Sequence, residues 1–442
     1  MIKRTVCVLF SLIIIAFSAA TPAYAYEPTG VDVTAESCIL ASLDTGEILY
    51  SKNENKRMYP ASITKIMTVT LMLESKSYDP NKKIAMTEEV LKLISGTGSS
   101  VSNLKAGEEV TELDLAYLVL MASFGDCAYL VAIEYGGSVD NFVKMMNQKA
   151  KELGLKNTRY QNPVGLHHKD NYTTAADTLK LTKYALKNET FKQICESPRY
   201  TLAATNMSRE RTLSTTNFLQ DNTTNYYYQY AKGVKTGYTD EAGRCLVSTA
   251  SYNGYNYICI MLKCPVDPGR RHEFYDSRNL YKWAFNNFEF KKIADVKNPV
   301  CEVDVNYSTE VDKIPLYIDK SIVTILPKNA DESTITIVPH KKKEEFDSPI
   351  KKGQIMGTAD VYYAKVKIGT VNLISGEDVK RSNFLYAYRV VEGFFLSKYM
   401  IMVYVILAVL VILFIIAVIR LNAGRKRKRK IKYIPYKDGE DE

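Results

Sequence analysis

Strand-like sequence begins near residue 36 of the chain. Residues 37–43 and 47–52 are rich in apolar and β-branched side chains, and Asp44-Thr45-Gly46 between them is a turn sequence with a glycine. Two strands joined by so short a turn pair as an antiparallel hairpin. The pattern therefore predicts a domain that opens with a β-hairpin.

Helical periodicity follows the hairpin. Residues 63–74, 111–135 and 141–153 repeat apolar side chains at spacings of three and four, and residues 271–287 give a last helical pattern. The middle of this region is therefore expected to be mainly helical.

Strand-like sequence returns before the last helix, at residues 233–236, 245–252 and 257–263. Asn253-Gly254, a strong hairpin dipeptide, separates the last two runs. Strands at both ends of a region with helices between them indicate an α+β fold whose terminal strands share one antiparallel sheet. We expect this domain to cover residues 26–292, with helices flanking the sheet and a helical subdomain.

The sequence changes character beyond about residue 292, where short β-rich runs alternate with Lys, Asp, Gly and Pro. This pattern predicts a small all-β domain over residues 293–392. This domain shows no catalytic constellation built around a nucleophile and a base, so we interpret it as a spacer that sets the height of the first domain above a membrane. The β-rich runs are residues 303–307, 314–318, 322–326, 334–338, 359–368 and 387–391.

A long uncharged segment lies near the start of the chain. Residues 5–26 carry no charge and contain Ala23-Tyr24-Ala25, with small residues at both positions that signal cleavage requires. We expect residues 1–25 to be a cleaved export signal. The alternative is an uncleaved anchor helix, which Thr21-Pro22 disfavour because proline breaks a helix.

A second uncharged segment, residues 399–419, is 21 residues long and can cross a bilayer as a transmembrane helix. Six consecutive basic residues at 425–430 follow it. Because positive charge is retained in the cytoplasm, we expect residues 420–442 to form a basic cytoplasmic tail and everything between the two segments to lie outside the cytoplasm.

Composition and charge exclude several classes of protein. The chain is 46% hydrophobic and 24% charged, an ordinary globular composition that excludes a disordered chain, a collagen or a polytopic transporter. Of the net charge of +9, residues 420–442 carry +5 and Lys3 with Arg4 carry two, so the rest of the chain carries only +2. We therefore expect no nucleic-acid partner.

Cysteines and histidines give no sign of a disulfide framework or a metal. Removal of the signal leaves seven cysteines, an odd number, and we expect most of them to be buried thiols. The four histidines lack the spacing of shared metal ligands. The sequence predicts no metal site and no cofactor.

The first predicted helix begins with a Ser-x-x-Lys sequence, Ser62 to Lys65. A spacing of three puts the two side chains on one helical face, where a neutral lysine amine can accept the serine proton. The spacing alone is weak, because it also occurs at Ser102 and Ser348. Two further motifs follow in order: Ser123-Phe124-Gly125 after an apolar helix, and Lys235-Thr236-Gly237 on a strand.

With these three motifs the sequence resembles the low-molecular-mass penicillin-binding proteins, specifically serine-type D-alanyl-D-alanine carboxypeptidases. The resemblance runs from about residue 35 to residue 391 and implies a β-lactamase/transpeptidase-like fold. It also implies a bacterial cell membrane as the location, peptidoglycan stem peptides as substrate and β-lactam antibiotics as covalent inhibitors. Further family-like segments are residues 40–46, 162–166, 172–175, 233–240 and 347–353.

The resemblance assigns a role to each motif residue. Ser62 would attack the bond between two terminal D-alanines and form an acyl-enzyme, with Lys65 as its base and Ser123 passing the proton to the leaving amine. Lys235, Thr236 and Gly237 would bind the substrate, the first two at its terminal carboxylate. The backbone N–H groups of Ser62 and Tyr238 would bind the oxyanion. Arg270 and Arg271 are both candidates to help read the carboxylate.

Gly125 departs from the family pattern, which has asparagine at this position in contact with the substrate and the catalytic lysine. Asp126 could fill part of the space, and its charge would raise the pKa of Lys65. We expect glycine at this position to weaken substrate positioning. Replacement of Gly125 by Asn is expected to give faster D-alanine release. The alternatives are a slow or inactive peptidoglycan-binding protein and, with less support, a β-lactamase.

Overall fold

The computed structural model describes residue 28 and residues 30–429, except for the side chains of 424–429. The predicted export signal and residues 430–442 of the predicted tail lie outside the described residues. The chain divides into two compact units. The first runs through Lys291 and includes Thr324–Ala330; the second comprises Lys292–Val323 and the residues from Asp331 onward.

The first unit is built on a five-stranded antiparallel sheet, in the order β2-β1-β9-β8-β7. The first and last segments of the unit are neighbours in it, as the sequence predicts. The strands of this unit are β1 (Ser37–Ser42), β2 (Ile48–Lys52), β3 (Lys83–Ala85), β4 (Glu109–Thr111), β5 (Arg199–Leu202), β6 (Arg211–Ser214), β7 (Ala231–Thr239), β8 (Gly243–Tyr252) and β9 (Tyr255–Cys264).

Both faces of the sheet are buried, which explains the near-continuous apolar sequence of β9. Ile258 and Ile260 point into one hydrophobic cluster, and their neighbours Tyr257 and Cys259 point into a second cluster on the opposite face. Successive side chains of a strand alternate between faces, so an apolar residue at every position requires a layer on each side. Helices supply both layers.

The helices of the first unit include one, α1, whose residues are buried on almost every side. Its sequence is apolar around the whole helix apart from Lys65, two threonines and the terminal Glu74, which is typical of a core helix. The helices are α1 (Lys65–Glu74), α2 (Glu88–Ile94), α3 (Glu112–Leu120), α4 (Gly125–Gly136), α5 (Val139–Glu152), α6 (Ala175–Ala185), α7 (Glu189–Glu196) and α8 (His272–Asn287).

The single helical pattern predicted over residues 111–135 is wrong, because this stretch forms two helices, α3 and α4. The periodicity gives no warning, since Met121, Ala122 and Phe124 in the break are themselves apolar. Ser123 adopts a left-handed backbone conformation with φ of +67°, which a helix cannot accommodate. The break turns this serine out of the helix.

The second unit has a six-stranded sheet in the order β14-β16-β17-β12-β11-β15, in agreement with the predicted all-β domain. The strand predicted over residues 359–368 is instead a hairpin that turns at Ala364 and Lys365, both with positive φ. The strands from residue 288 onward are β10 (Phe288–Ala294), β11 (Cys301–Asn306), β12 (Lys313–Ile318), β13 (Ile322–Pro327), β14 (Ile335–Lys341), β15 (Glu345–Asp347), β16 (Ile355–Tyr363) and β17 (Val366–Ser375).

The strand predicted at residues 387–391 is also wrong, because these residues lie in helix α9 (Asn383–Phe395). The β-branched pair Val390 and Val391 suggested a strand. The wider pattern is helical, and Ser382 caps the helix through its side chain.

The last helix, α10 (Lys398–Arg429), contains the predicted transmembrane segment. Its stretch Lys398–Ala423 has a mean hydropathy of 3.4 in the most apolar window and is long enough to cross a membrane. It is a candidate membrane anchor.

Candidate active site

Ser62 lies on a short 3-10 turn, Ala61–Thr64, that runs directly into helix α1. In a 3-10 turn, side chains three residues apart are eclipsed, closer together than on an α-helix. Nζ of Lys65 therefore lies 2.9 Å from Oγ of Ser62. Ser62 is half-buried and lines a cavity, while Lys65 is fully buried behind it.

Burial changes the acid–base properties of Lys65. Loss of water around the amine disfavours its charged form and lowers its pKa to about 7, although the negative charge of Asp126 acts in the opposite direction. The backbone carbonyl of Val164 accepts a second hydrogen bond from Nζ at 2.9 Å. The amine is thus aimed at Ser62 and can be neutral near pH 7.

A compact turn at residues 162–166 holds that carbonyl in position. The side-chain oxygen of Asn162 accepts hydrogen bonds from the backbone N–H groups of Val164, Gly165 and Leu166, and the Thr68 hydroxyl donates to the carbonyl of Pro163 at 2.6 Å. No motif in the sequence predicts a chemical role for this turn. The Asn-Pro dipeptide is a turn signal, but nothing local to it points to a lysine about a hundred residues earlier.

Ser123 lies in the break between α3 and α4 and lines the same cavity. Its left-handed backbone conformation directs the chain away from the helix axis at this point. Its carbonyl accepts a hydrogen bond of 2.9 Å from the hydroxyl of Ser100.

Strand β7 contributes the Lys-Thr-Gly motif. Lys235 is buried, and the lack of water together with the positive charge of Lys65 lowers its pKa. Its Nζ donates to the carbonyl of Thr236 at 2.9 Å, and the Thr236 hydroxyl is 2.6 Å from that of Thr216. Thr216 was not predicted, because no motif surrounds it in the sequence.

Glycine at two positions allows the backbone around Ser62 to be tightly enclosed. A Cβ on Gly237 would lie 3.0 Å from the backbone nitrogen of Ser62, so β7 runs directly against the 3-10 turn. A Cβ on Gly165, whose φ is +92°, would lie 1.8 Å from the carbonyl oxygen of Ala61. Side chains at either position would force the backbone around Ser62 to move.

The cavity in front of Ser62 has a volume of about 620 Å³. It brings together five of the seven predicted site residues, and Lys65 and Lys235 lie buried close behind them. The five predicted residues that line it are Ser62, Ser123, Thr236, Gly237 and Tyr238.

The two candidate arginines occupy different environments. Arg271 lines the cavity, with its guanidinium over the rings of Phe218 and Phe274 and its Nε donating to Glu273 at 2.6 Å. Arg270 stands over the ring of Tyr275 and is not part of the cavity lining. The geometry therefore favours Arg271.

Asp126 does not take the place of the missing asparagine. It is fully buried, and its carboxylate accepts hydrogen bonds from the backbone N–H and the hydroxyl of Ser102 and from the backbone N–H of Cys127. The carboxylate is thus occupied by protein donors and does not line the cavity.

Known proteins match both units of the chain. Residues 21–265 match the family described as D-alanyl-D-alanine carboxypeptidase, and residues 288–381 match the C-terminal domain of penicillin-binding protein 5. The D-alanyl-D-alanine carboxypeptidase DacF of Bacillus subtilis is 31% identical over 79% of this chain and 87% of its own length. DacC of Escherichia coli, also named a D-alanyl-D-alanine carboxypeptidase, is 30% identical over 83% of this chain and 90% of its own.

Solved structures of this family also match the chain. That of penicillin-binding protein 5 from Haemophilus influenzae is 26% identical, with a TM-score of 0.63, and covers 80% of this chain and 99% of its own. These matches give no support to the alternative of an inactive binding protein. With the three motifs gathered around one cavity, they establish that the chain belongs to the D-alanyl-D-alanine carboxypeptidases, the low-molecular-mass serine peptidases among the penicillin-binding proteins.

Proposed function

We propose that this carboxypeptidase removes the last D-alanine of peptidoglycan stem pentapeptides through an ester on Ser62. The observation that carries the proposal is the 2.9 Å contact between the buried amine of Lys65 and the hydroxyl of Ser62 at the wall of an open cavity. A neutral amine at this distance is a competent base for the serine.

In the first step, the Ser62 proton moves to Nζ of Lys65 while Oγ bonds to the carbonyl carbon of the penultimate D-alanine. The carbonyl oxygen becomes an oxyanion, which the backbone N–H groups of Ser62 and Tyr238 stabilise. The close approach of Gly237 to the backbone of Ser62 supports this pairing of donors from the 3-10 turn and β7.

In the second step, the bond to the last D-alanine breaks and its nitrogen takes up the proton through Ser123. Free D-alanine leaves, and water then hydrolyses the Ser62 ester to return the enzyme and a shortened peptide. Ser123 lines the same cavity as Ser62, which supports its role as the proton carrier.

Recognition of the substrate's terminal carboxylate falls to Lys235, Thr236 and Arg271. The incoming carboxylate favours the charged form of Lys235, whose pKa is otherwise lowered by burial and by Lys65. A guanidinium suits a carboxylate because it can donate two parallel hydrogen bonds.

β-Lactams would acylate Ser62 by the same first step and remain attached because no leaving group departs.

We also propose the membrane topology predicted from the sequence. The α10 helix anchors the protein in the bacterial cell membrane, the residues before it lie outside the cytoplasm, and the basic tail lies inside. In this arrangement the catalytic domain faces the peptidoglycan that it trims.

The test uses the detergent-solubilised full chain and a Ser62→Ala control, each incubated with a fluorescent penicillin and with a peptide ending in D-Ala-D-Ala. We expect the wild type to be labelled at Ser62 and to release D-alanine, and S62A to do neither. Labelling without release would favour the binding-only alternative, and rapid hydrolysis of the penicillin would favour a β-lactamase. Labelling of S62A would contradict the assignment of the nucleophile.

A further inference from the structure

Residues 99–102, here called the serine loop, lie beside the break that carries Ser123. The loop follows helix α2 and contains three serines, and Ser99 and Ser100 line the cavity together with Ser62. The proposed mechanism gives these serines no role.

Hydrogen bonds fix the serine loop to the start of helix α4. The carbonyl of Ser100 accepts from the backbone N–H of Gly125 at 2.8 Å, and its hydroxyl donates to the carbonyl of Ser123 at 2.9 Å. Ser102 donates to the buried Asp126 carboxylate through its hydroxyl at 2.6 Å and through its backbone N–H. Hydrogen bonds to a buried carboxylate are strong, so the loop has a defined position.

The side chain of Ser99 occupies the space beside Gly125. A Cβ on Gly125 would lie 2.3 Å from Oγ of Ser99 and 2.9 Å from Cδ1 of Ile94. The backbone of Gly125 is not in the left-handed region, so its conformation does not require glycine. A side chain at this position would instead have to displace the side chains of Ser99 and Ile94.

The Ser99 hydroxyl is available to a ligand. The residue is half-buried at the cavity wall, and within the part of the chain that the structure describes its Oγ has no hydrogen-bond partner. A hydroxyl can donate one hydrogen bond and accept two, so it can pair with either the N–H or the carbonyl of a peptide group.

We infer that Ser99 is a substrate-binding residue that replaces the side chain missing at Gly125. Its hydroxyl binds the backbone of the stem peptide on the wall formed by Ser123 and Gly125. This inference rests on the proposed function. It also changes the expectation for Asn at position 125: the asparagine alone collides with Ser99, and faster release requires that Ser99 be shortened as well.

The first test is Ser99→Ala, which keeps the Cβ and removes the hydroxyl. Loss of one hydrogen bond to substrate should lower kcat/KM for a D-Ala-D-Ala peptide by about threefold to tenfold, mainly through a higher KM. Ser95→Ala is the matched control, since Ser95 is exposed on the same segment and does not line the cavity; it should change neither constant. A Ser99 that only fills space would leave KM unchanged in S99A.

The second test is a double-mutant cycle. Gly125→Asn and Ser99→Gly should each lower kcat/KM, and the double variant S99G/G125N should exceed both single variants, because the amide then occupies the vacated space. If S99A lowers the melting temperature, so that its kinetics cannot be interpreted, this cycle still tests the role of Ser99. A G125N single variant with the kcat/KM of the wild type, or a double variant that does not exceed the better single one, would overturn the inference.

Both tests include fluorescent-penicillin labelling of the wild type. If the wild type neither labels at Ser62 nor releases D-alanine, the proposed function fails and not only the role of Ser99. If the wild type is active and S99A matches it in KM, the role of Ser99 alone fails.

Discussion

The pKa of Lys65 depends strongly on the residues that surround its amine. A lysine with its ordinary pKa of 10.5 is neutral in roughly one molecule in 3,000 at pH 7, whereas a pKa of about 7 makes about half of the molecules neutral. Burial supplies this change, and Asp126 opposes it. The protein tolerates the carboxylate because Ser102 and Cys127 satisfy it with hydrogen bonds.

We expect the rate of acylation by penicillin to follow the neutral fraction of Lys65. Because only the neutral amine can accept the Ser62 proton, the second-order rate constant should rise about tenfold per pH unit below pH 7 and level off above it. Stopped-flow labelling of the full chain between pH 5 and pH 9 measures this profile.

Asp126→Asn provides the control for this profile. Removal of a negative charge that raises the pKa of Lys65 should move the inflection to lower pH. A flat wild-type profile, or an inflection that moves upward in D126N, would contradict the assignment of Lys65 as base.

At the scale of elements, the site depends on the contact between the 3-10 turn and strand β7. The turn presents Ser62, helix α1 directly after it presents Lys65, and the strand presents Thr236 and the backbone of Tyr238. Gly237 lets the two elements approach so closely that a Cβ at this position would lie 3.0 Å from the backbone nitrogen of Ser62. The spacing of the two proposed oxyanion donors is therefore set by this packing.

Gly237→Ala should separate these elements by a few tenths of an ångström. Since an oxyanion donor contributes about 10² to 10³ in rate, even partial misalignment should slow acylation by about tenfold or more. The melting temperature and the rate of penicillin labelling are measured together, so that a loss of folding is not mistaken for a loss of catalysis.

Gly254→Ala is the matched control, because a Cβ there meets no atom within 4 Å. Its φ of +84° should cost about 1 kcal/mol of stability but leave acylation unchanged. Equal acylation rates in G237A and the wild type would show that the close approach is not needed for catalysis.

At the scale of the whole molecule, the described residues of the second unit carry no part of the cavity in front of Ser62. Helix α9 has exposed Phe384, Tyr388, Val391 and Phe395 at spacings of four, three and four. This spacing makes one apolar helical face, as in helices that lie on a membrane surface. The α9 and α10 helices thus differ in pattern, the first amphipathic and the second apolar throughout.

We expect that removal of α10, the candidate membrane anchor, leaves a protein that binds membranes only at their surface. A variant that ends at Ser397 should no longer need detergent and should still sediment with liposomes, because α9 keeps its apolar face. A variant that ends before Ser382 should stay in the supernatant. If the first variant also stays there, α9 does not bind membranes.

The cysteines should behave as buried thiols. Of the seven in the described part of the chain, all are free, and only Cys301 is partly exposed. A thiol reagent should label at most one cysteine in the native protein and all seven after unfolding. Reductant should leave the melting temperature unchanged; a lower value would reveal a disulfide.

Local patterns predicted most of the elements and pointed to a candidate site. The hairpin at the start, the strands around Asn253-Gly254 and the apolar candidate anchor are recorded in short stretches of sequence. The three motifs occur in the order and spacing of the family pattern, and they therefore pointed to Ser62, Lys65 and Ser123 without knowledge of the fold.

Only the tertiary structure decided the chemistry of these residues. The low pKa of Lys65, the carbonyl of Val164 that aims it and the approach of Gly237 to Ser62 all arise from segments far apart in the chain. The contact between the serine loop and Gly125 also joins two segments that are separate in the chain. A sequence determines which chemical groups are present and the periodicity of each element, but burial and distance depend on atoms brought together by folding, and these set the reactivity of a group.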